Sequence, residues 1–178
     1  MGQRIILRPL AQIDSQILEI LKQNLEHTFN CPVEIKPEIG SLHYAYDPRR
    51  RQYLAPRLLA SLRRFSKEPD DRCLGIVNVD LYSSDLNFVF GEADIGSGVA
   101  IVSLYRLRPA HYGLPNATLF QDRAVKEAVH ELGHTYYLSH CADVKCVMHF
   151  SNSLADTDIK GASFCPKCHQ SLGEENKG

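Results

Sequence analysis

Apolar and polar positions change their period several times along the chain. Residues 4–10 (Arg-Ile-Ile-Leu-Arg-Pro-Leu) form a short apolar run that predicts a first strand. From Asp14 onward, Ile17, Leu18, Leu21 and Leu25 recur at helical spacing. They predict a helix to about Phe29, with Asp14 as its cap. Residues 33–39 alternate apolar and charged, which predicts a second strand. Asp47-Pro48 opens a second predicted helix to about Phe65, with Leu54, Leu58, Leu59 and Leu62 on its buried face. Residues 73–82 are the strongest buried-strand candidate. Phe88-Val89-Phe90 and residues 99–104 follow, separated by Gly91, Gly96 and Gly98, and predict a hairpin or an edge pair. A third helix is predicted over 118–136, with Thr118 and Gln121 as a capping box. Phe120, Ala124, Ala128, Leu132 and Tyr136 form its apolar row. Alternating strands and helices place the chain in the α/β class, with a mixed sheet and helices on its faces.

Composition narrows the function. The 178 residues are 44% hydrophobic and 23% charged, enough for one domain with a core. Lys and Arg total 20 against 21 Asp and Glu, a net charge of −1. That balance argues against a global basic footprint for nucleic acid. Arg49, Arg50, Arg51, Arg63 and Arg64 accordingly read as a solvated helix face. No apolar run approaches the roughly 20 residues that span a bilayer. Residues 1–9 lack the apolar core and cleavage site of a signal peptide. The expected location is therefore the cytoplasm, where thiols stay reduced. The polar end, 173–178, is expected to fray.

Potential metal ligands crowd the last third of the chain. Cys141, Cys146, Cys165 and Cys168 lie there, with His130, His134, His140, His149 and His169. Cys31 and Cys73 stand apart and read as small buried hydrophobes. His130-Glu131-Leu132-Gly133-His134 falls inside the third predicted helix. Two imidazoles four residues apart share one helix face, about 6 Å apart along the axis, and can reach one zinc. Glu131 points about 100° round the helix, able to reach a water on that metal without ligating it. A catalytic zinc needs a third protein ligand. His140 is the leading candidate, with Asp143 and Asp156 as alternatives. On an unbroken helix His140 would lie about 15 Å from His130 along the axis. The helix must therefore end between His134 and His140, with Tyr137 at the position where a left-handed glycine would normally turn the chain.

Cys141-x4-Cys146 and Cys165-x2-Cys168 are two short pairs joined by a loop, the pattern of a closed four-thiolate zinc site. Such a site would staple a segment too small for a core of its own and hold His140 in place beside Cys141.

The run from His130 through His140, Cys141, Cys146 and Met148 to Cys165 and Cys168 resembles the archaemetzincins, a branch of the metzincin zinc metallopeptidases. Phe88-Val89-Phe90-Gly91-Glu92-Ala93 is also similar to a segment of that family. The resemblance implies a catalytic zinc on His130, His134 and His140, with Glu131 as general base. It implies a tight turn at Met148 beneath the metal, and a second, structural zinc on Cys141, Cys146, Cys165 and Cys168. The implied fold is a metzincin-like twisted mixed sheet with a backing helix and an active-site helix. Residues 1–178 would make one catalytic domain, with 1–139 carrying sheet and active-site helix and 140–178 a zinc-stapled subdomain.

The expected activity is zinc-dependent hydrolysis of peptide bonds in a peptide or protein substrate, with neither nucleic acid nor membrane as partner. If residues 99–104 form the sheet edge, their free backbone groups would pair with an extended peptide. His149 is a further candidate for the cleft lining, and Tyr136, Tyr137 and His149 are candidates for oxyanion support. The competing readings are a catalytically silent zinc-binding or peptide-binding protein with a vestigial site and, further off, a zinc-ribbon nucleic-acid module.

Overall fold

The computed structural model describes residues 3–175 except 67, 69, 114 and 115. Met1, Gly2 and the last three residues of the polar end thus lie outside the described residues. The chain begins with β1 (Ile5–Pro9) and crosses through α1 (Ser15–Phe29) to β2 (Val33–Ile35), parallel to β1. Asp14 caps α1 by accepting the Gln16 amide, and Asn30 closes it in the left-handed conformation. β2 is shorter than the alternation of 33–39 suggests. The chain still follows β1, through Lys36 N to Leu7 O and Ile39 N to Pro9 O. Pro37 between them has no amide to extend the ladder.

The second predicted helix is half hairpin. β3 (Tyr46–Asp47) pairs antiparallel with β4 (Gln52–Leu54), and α2 (Ala55–Leu62) starts only there. The Asp47 carboxylate accepts the amides of Arg49 and Arg50, and Arg51 turns left-handed at φ 56°, which closes a turn where helix was expected. Leu58, Leu59 and Leu62 are buried as predicted. The apolar run 73–82 also splits. β5 (Arg72–Val77) lies in the first sheet, and β6 (Leu81–Ser83) lies in a second sheet with β7 (Leu86–Val89). Asp80, between them, is held by Arg106 at 2.6 and 2.8 Å, which turns the chain out of the first sheet.

β8 (Gly91–Asp94) and β9 (Val99–Ser103) complete the first sheet, whose order is β2-β1-β5-β9-β8. β1, β2, β5 and β9 are parallel, and β8 runs antiparallel to β9. The second sheet has the order β3-β4-β6-β7. The edge that lies against the long helix over 117–135 is therefore β8. β9, expected as an edge, is interior between β5 and β8.

Alternation along the strands builds two apolar layers. Ile5, Leu7, Leu74, Ile76, Ala100 and Val102 face α1 and α3 (Ala117–Thr135). Ile6, Cys73, Val77, Val99 and Ile101 face α2. Each fully buried Leu or Ile contributes about 1.5–3 kcal/mol relative to exposure. α3 is capped by Asn116, whose side chain accepts the Leu119 amide; the Thr118 box is not used, because the cap lies two residues earlier. α4 (Leu154–Ile159), with a Ser153–Asp156 capping box, and α5 (Pro166–Glu175) complete the chain. Among the described residues no helix is long and apolar enough to cross a membrane.

Candidate metal centres and catalytic cleft

His130, Glu131 and His134 occupy the last two turns of α3. The helix then ends in a six-residue cap. Tyr137 N bonds Gly133's neighbour His134 at its carbonyl, and Leu138 N reaches back to Gly133 O. Tyr137 is left-handed at φ 62°, as the spacing required, and carries a side chain where glycine is favoured. The reversal brings His140 back onto His130 and His134. The ring centroids are 4.7, 5.3 and 4.9 Å apart, and one ligand nitrogen of each lies within 4.8 Å of the others.

The second nitrogens fix how two of these rings are aimed. His130 Nδ1 lies 2.8 Å from Val147 O, and His134 Nδ1 lies 2.7 Å from Leu138 O. A carbonyl only accepts, so both Nδ1 atoms carry the proton and both Nε2 lone pairs are free. Those two Nε2 atoms are 3.2 Å apart. Two lone pairs at that distance repel without a cation between them. Two nitrogens about 2.05 Å from one tetrahedral zinc would be separated by roughly 3.3 Å, so the donor set fits zinc. Burial pushes the pKa values of His130 and His134 down, which keeps both rings neutral as ligation requires. Asp143 and Asp156, the alternative third ligands, are used elsewhere. Asp143 accepts the Lys145 amide, and Asp156 caps α4.

The turn at Met148 lies beneath the rings. His149 N bonds Cys146 O, Met148 is fully buried, and Val147 presents its carbonyl to His130. Gly133 has its reason here, because a Cβ on it would overlap the Met148 sulfur. Behind the turn, Cys141, Cys146, Cys165 and Cys168 offer four sulfurs within 4.8 Å of one another. Cys141 and Cys165 sulfurs are 3.8 Å apart, the separation that two Zn–S bonds of about 2.3 Å give at a tetrahedral centre. The Cys165 amide donates to the Cys146 sulfur at 3.3 Å, and all four thiols are free of disulfides. The Cys168 amide, with its thiol neighbours, pulls the Cys165 thiol down to about 7. These four could hold a second zinc, closed on all sides.

A cavity of about 440 Å³ opens in front of the three histidines, between α3 and the β7–β8 edge. Glu131, Glu127 and Glu92 reach it, and Phe88, Phe90 and Phe150 supply its apolar walls. Phe150 packs on His140 with centroids 4.8 Å apart. Glu131 is buried, and that burial, reinforced by Glu127, pushes its pKa well up. None of the three oxyanion candidates lines this cavity. Tyr136 stacks on Phe29 in the core, Tyr137 faces away from it, and His149 bonds the Cys141 carbonyl. The wall expected from His149 is provided by Phe150, which the sequence pattern does not distinguish from a surface aromatic.

A family model described as peptidase family M54 matches residues 13–174. The chain belongs to peptidase family M54. Archaemetzincin of Pyrococcus furiosus is 45% identical over 184 residues, covering 98% of this chain and 94% of that protein. Archaemetzincin of Methanocaldococcus jannaschii is 42% identical over 173 residues, covering 97% and 94%. The crystal structure of archaemetzincin from Methanopyrus kandleri superposes with a TM-score of 0.87 at 37% identity, over 99% of this chain and 97% of that one. Archaemetzincin from Archaeoglobus fulgidus, complexed with malonate, gives 0.81 at 37% identity, covering 94% and 99%. This M54 member is thus a zinc metallopeptidase with the archaemetzincin fold, mixed in its sheets and carrying a cysteine cluster near its C-terminus.

Proposed function

We propose that this M54 peptidase cleaves peptide bonds at one zinc held by His130, His134 and His140, with Glu131 as general base. The observation that carries the reading is the convergence of three imidazoles at the floor of an open cleft, beside a buried carboxylate. Zinc bound there would supply a water acidified toward a pKa of about 7 and a Lewis acid for the peptide carbonyl. Glu131 takes the proton from the attacking water and returns it to the departing amine. Phe88 and Phe150 narrow the cleft around the reacting bond and exclude bulk water. With β9 interior, the strand whose free backbone edge can pair an extended peptide is β8.

Cys141, Cys146, Cys165 and Cys168 hold a second, structural zinc, giving two per chain. It ties 140–178 into a subdomain of a single catalytic domain and anchors Cys141 next to His140. Six free thiols suit a reducing compartment such as the cytoplasm.

Glu131→Ala tests the assignment. Both metals are retained and turnover of a peptide library falls to background. A wild type that holds both metals and cleaves no peptide would instead support the silent-binder reading.

A further inference from the structure

Lys160 is the residue beside the cleft whose chemistry is least accounted for. It follows α4 and its side chain is fully buried. Its Nζ lies 3.0 Å from Glu127 Oε1, 3.3 Å from the His149 carbonyl and 3.5 Å from His130 Nδ1. Glu127 stands three residues before His130 on α3, is itself buried, and also accepts the Thr157 hydroxyl at 3.2 Å. His130 Nδ1 already carries the proton it gives to Val147 O. The ammonium therefore has no hydrogen bond to make with that ring. It sits beside a ligand ring as a positive charge, which on its own would oppose a dication on the ring's other nitrogen.

Glu127 is the counter-charge. A buried ion pair adds little to stability over apolar residues of the same volume, but losing one partner leaves the other uncompensated in a low dielectric. Here the uncompensated charge would lie next to a metal site.

We propose that Glu127 and Lys160 form a charge-compensated pair that sets how tightly the three-histidine site holds its dication. Glu127 cancels the ammonium beside His130. Both are positioning residues, acting on the metal through His130 and the local field. The proposal rests on the zinc reading of that site.

Co²⁺ titration of the metal-free full chain tests it, with Co²⁺ alone as the probe. Thiolate-bound Co²⁺ absorbs intensely in the near ultraviolet, whereas imidazole-bound Co²⁺ does not, so the two sites read separately. Glu127→Gln weakens the non-thiolate site by about 10–100-fold and leaves the thiolate site unchanged. Lys160→Met binds at the non-thiolate site as tightly as wild type or tighter. The double variant carries no member of the pair and returns to within about threefold of wild type. Were Lys160→Met to fail to fold, the recovery of the double variant relative to Glu127→Gln decides alone. A purely structural role predicts that both single variants weaken the site and the double variant weakens it most, and that pattern overturns the proposal. Glu127→Gln within about twofold of wild type also overturns it. A wild type that takes Co²⁺ only at thiolates overturns the zinc reading itself, which separates the two failures.

Discussion

Gly91, at the start of β8, and Glu131, on α3, are in direct contact across the floor of the cleft. A Cβ on Gly91 would stand 2.6 Å from Glu131 Cγ and 2.6 Å from Ile101 O. The edge strand therefore approaches the helix as closely as a residue without a side chain allows, and Glu131 is seated against bare backbone. Gly91→Ala should displace Glu131 by a fraction of an ångström to an ångström. The expected result is a fall of about 100-fold in kcat with zinc content unchanged, since displacement on that scale costs such factors. Steady-state kinetics with metal analysis checks it. Full activity in Gly91→Ala would mean that the carboxylate position does not matter.

Gly133 and Met148 fit by the same logic on the other face of α3. Alanine at 133 gains about 1 kcal/mol of helix propensity. It also forces its methyl against the buried Met148 sulfur, a kind of overpacking that costs about 1–3 kcal/mol. Gly133→Ala should lose about 1 kcal/mol net in urea unfolding. The same change in a Met148→Ala background should cost nothing or stabilise. Equal costs in the two backgrounds would remove Met148 as the cause.

Where the sequence was readable, one local pattern dominated. α1 shows its stripe and its Asp14 cap without help from the rest of the fold. The histidine and cysteine clusters were readable because their spacing is itself a geometric statement: four residues on a helix, or two short pairs and a loop. What was hidden depends on partners distant in sequence. The hairpin before α2 hangs on Asp47 capturing two amides and on Arg51 turning left-handed, an option that apolar spacing does not report. The split of 73–82 hangs on Asp80 meeting Arg106, 26 residues on. The identity of the edge strand hangs on which strand lies outermost, and polar Gly91–Asp94 reads as a loop until Val99–Ser103 is placed beside it. Gly133 had no visible reason until Met148 was beneath it. The pairing of Lys160 with Glu127 carries no local signature at all.

Tyr137 holds a left-handed conformation with its side chain 60% exposed, so the backbone is strained and little packing offsets it. The penalty for a non-glycine residue there is about 1–2 kcal/mol, against about 0.5–1 kcal/mol of extra chain entropy for glycine when unfolded. Tyr137→Gly should therefore raise stability by about 0.5–1 kcal/mol and leave kcat unchanged. Denaturant midpoints report it. A destabilised Tyr137→Gly would show that the ring contributes packing that outweighs the strain.

Asp94 closes the far end of the edge strand. Its carboxylate accepts the Ser97 hydroxyl at 2.6 Å and pairs with Arg63 beyond α2. The Ser97 bond is the largest influence and holds the Asp94 pKa below its ordinary 3.8, with Arg63 adding to it. The folded state thus favours the charged form. The stabilisation is present above the ordinary value and is lost as pH falls through it, because the unfolded chain takes up the proton first. Arg63 is half exposed, so the pair contributes no more than about 0.5–1 kcal/mol. Asp94→Asn should cost that amount at pH 7, and the difference from wild type should shrink toward zero below pH 3.8. Comparing the two proteins at each pH cancels acid effects elsewhere in the chain. A gap that stays constant from neutral to acid pH would show that the charge on Asp94 contributes nothing to holding β8 in place.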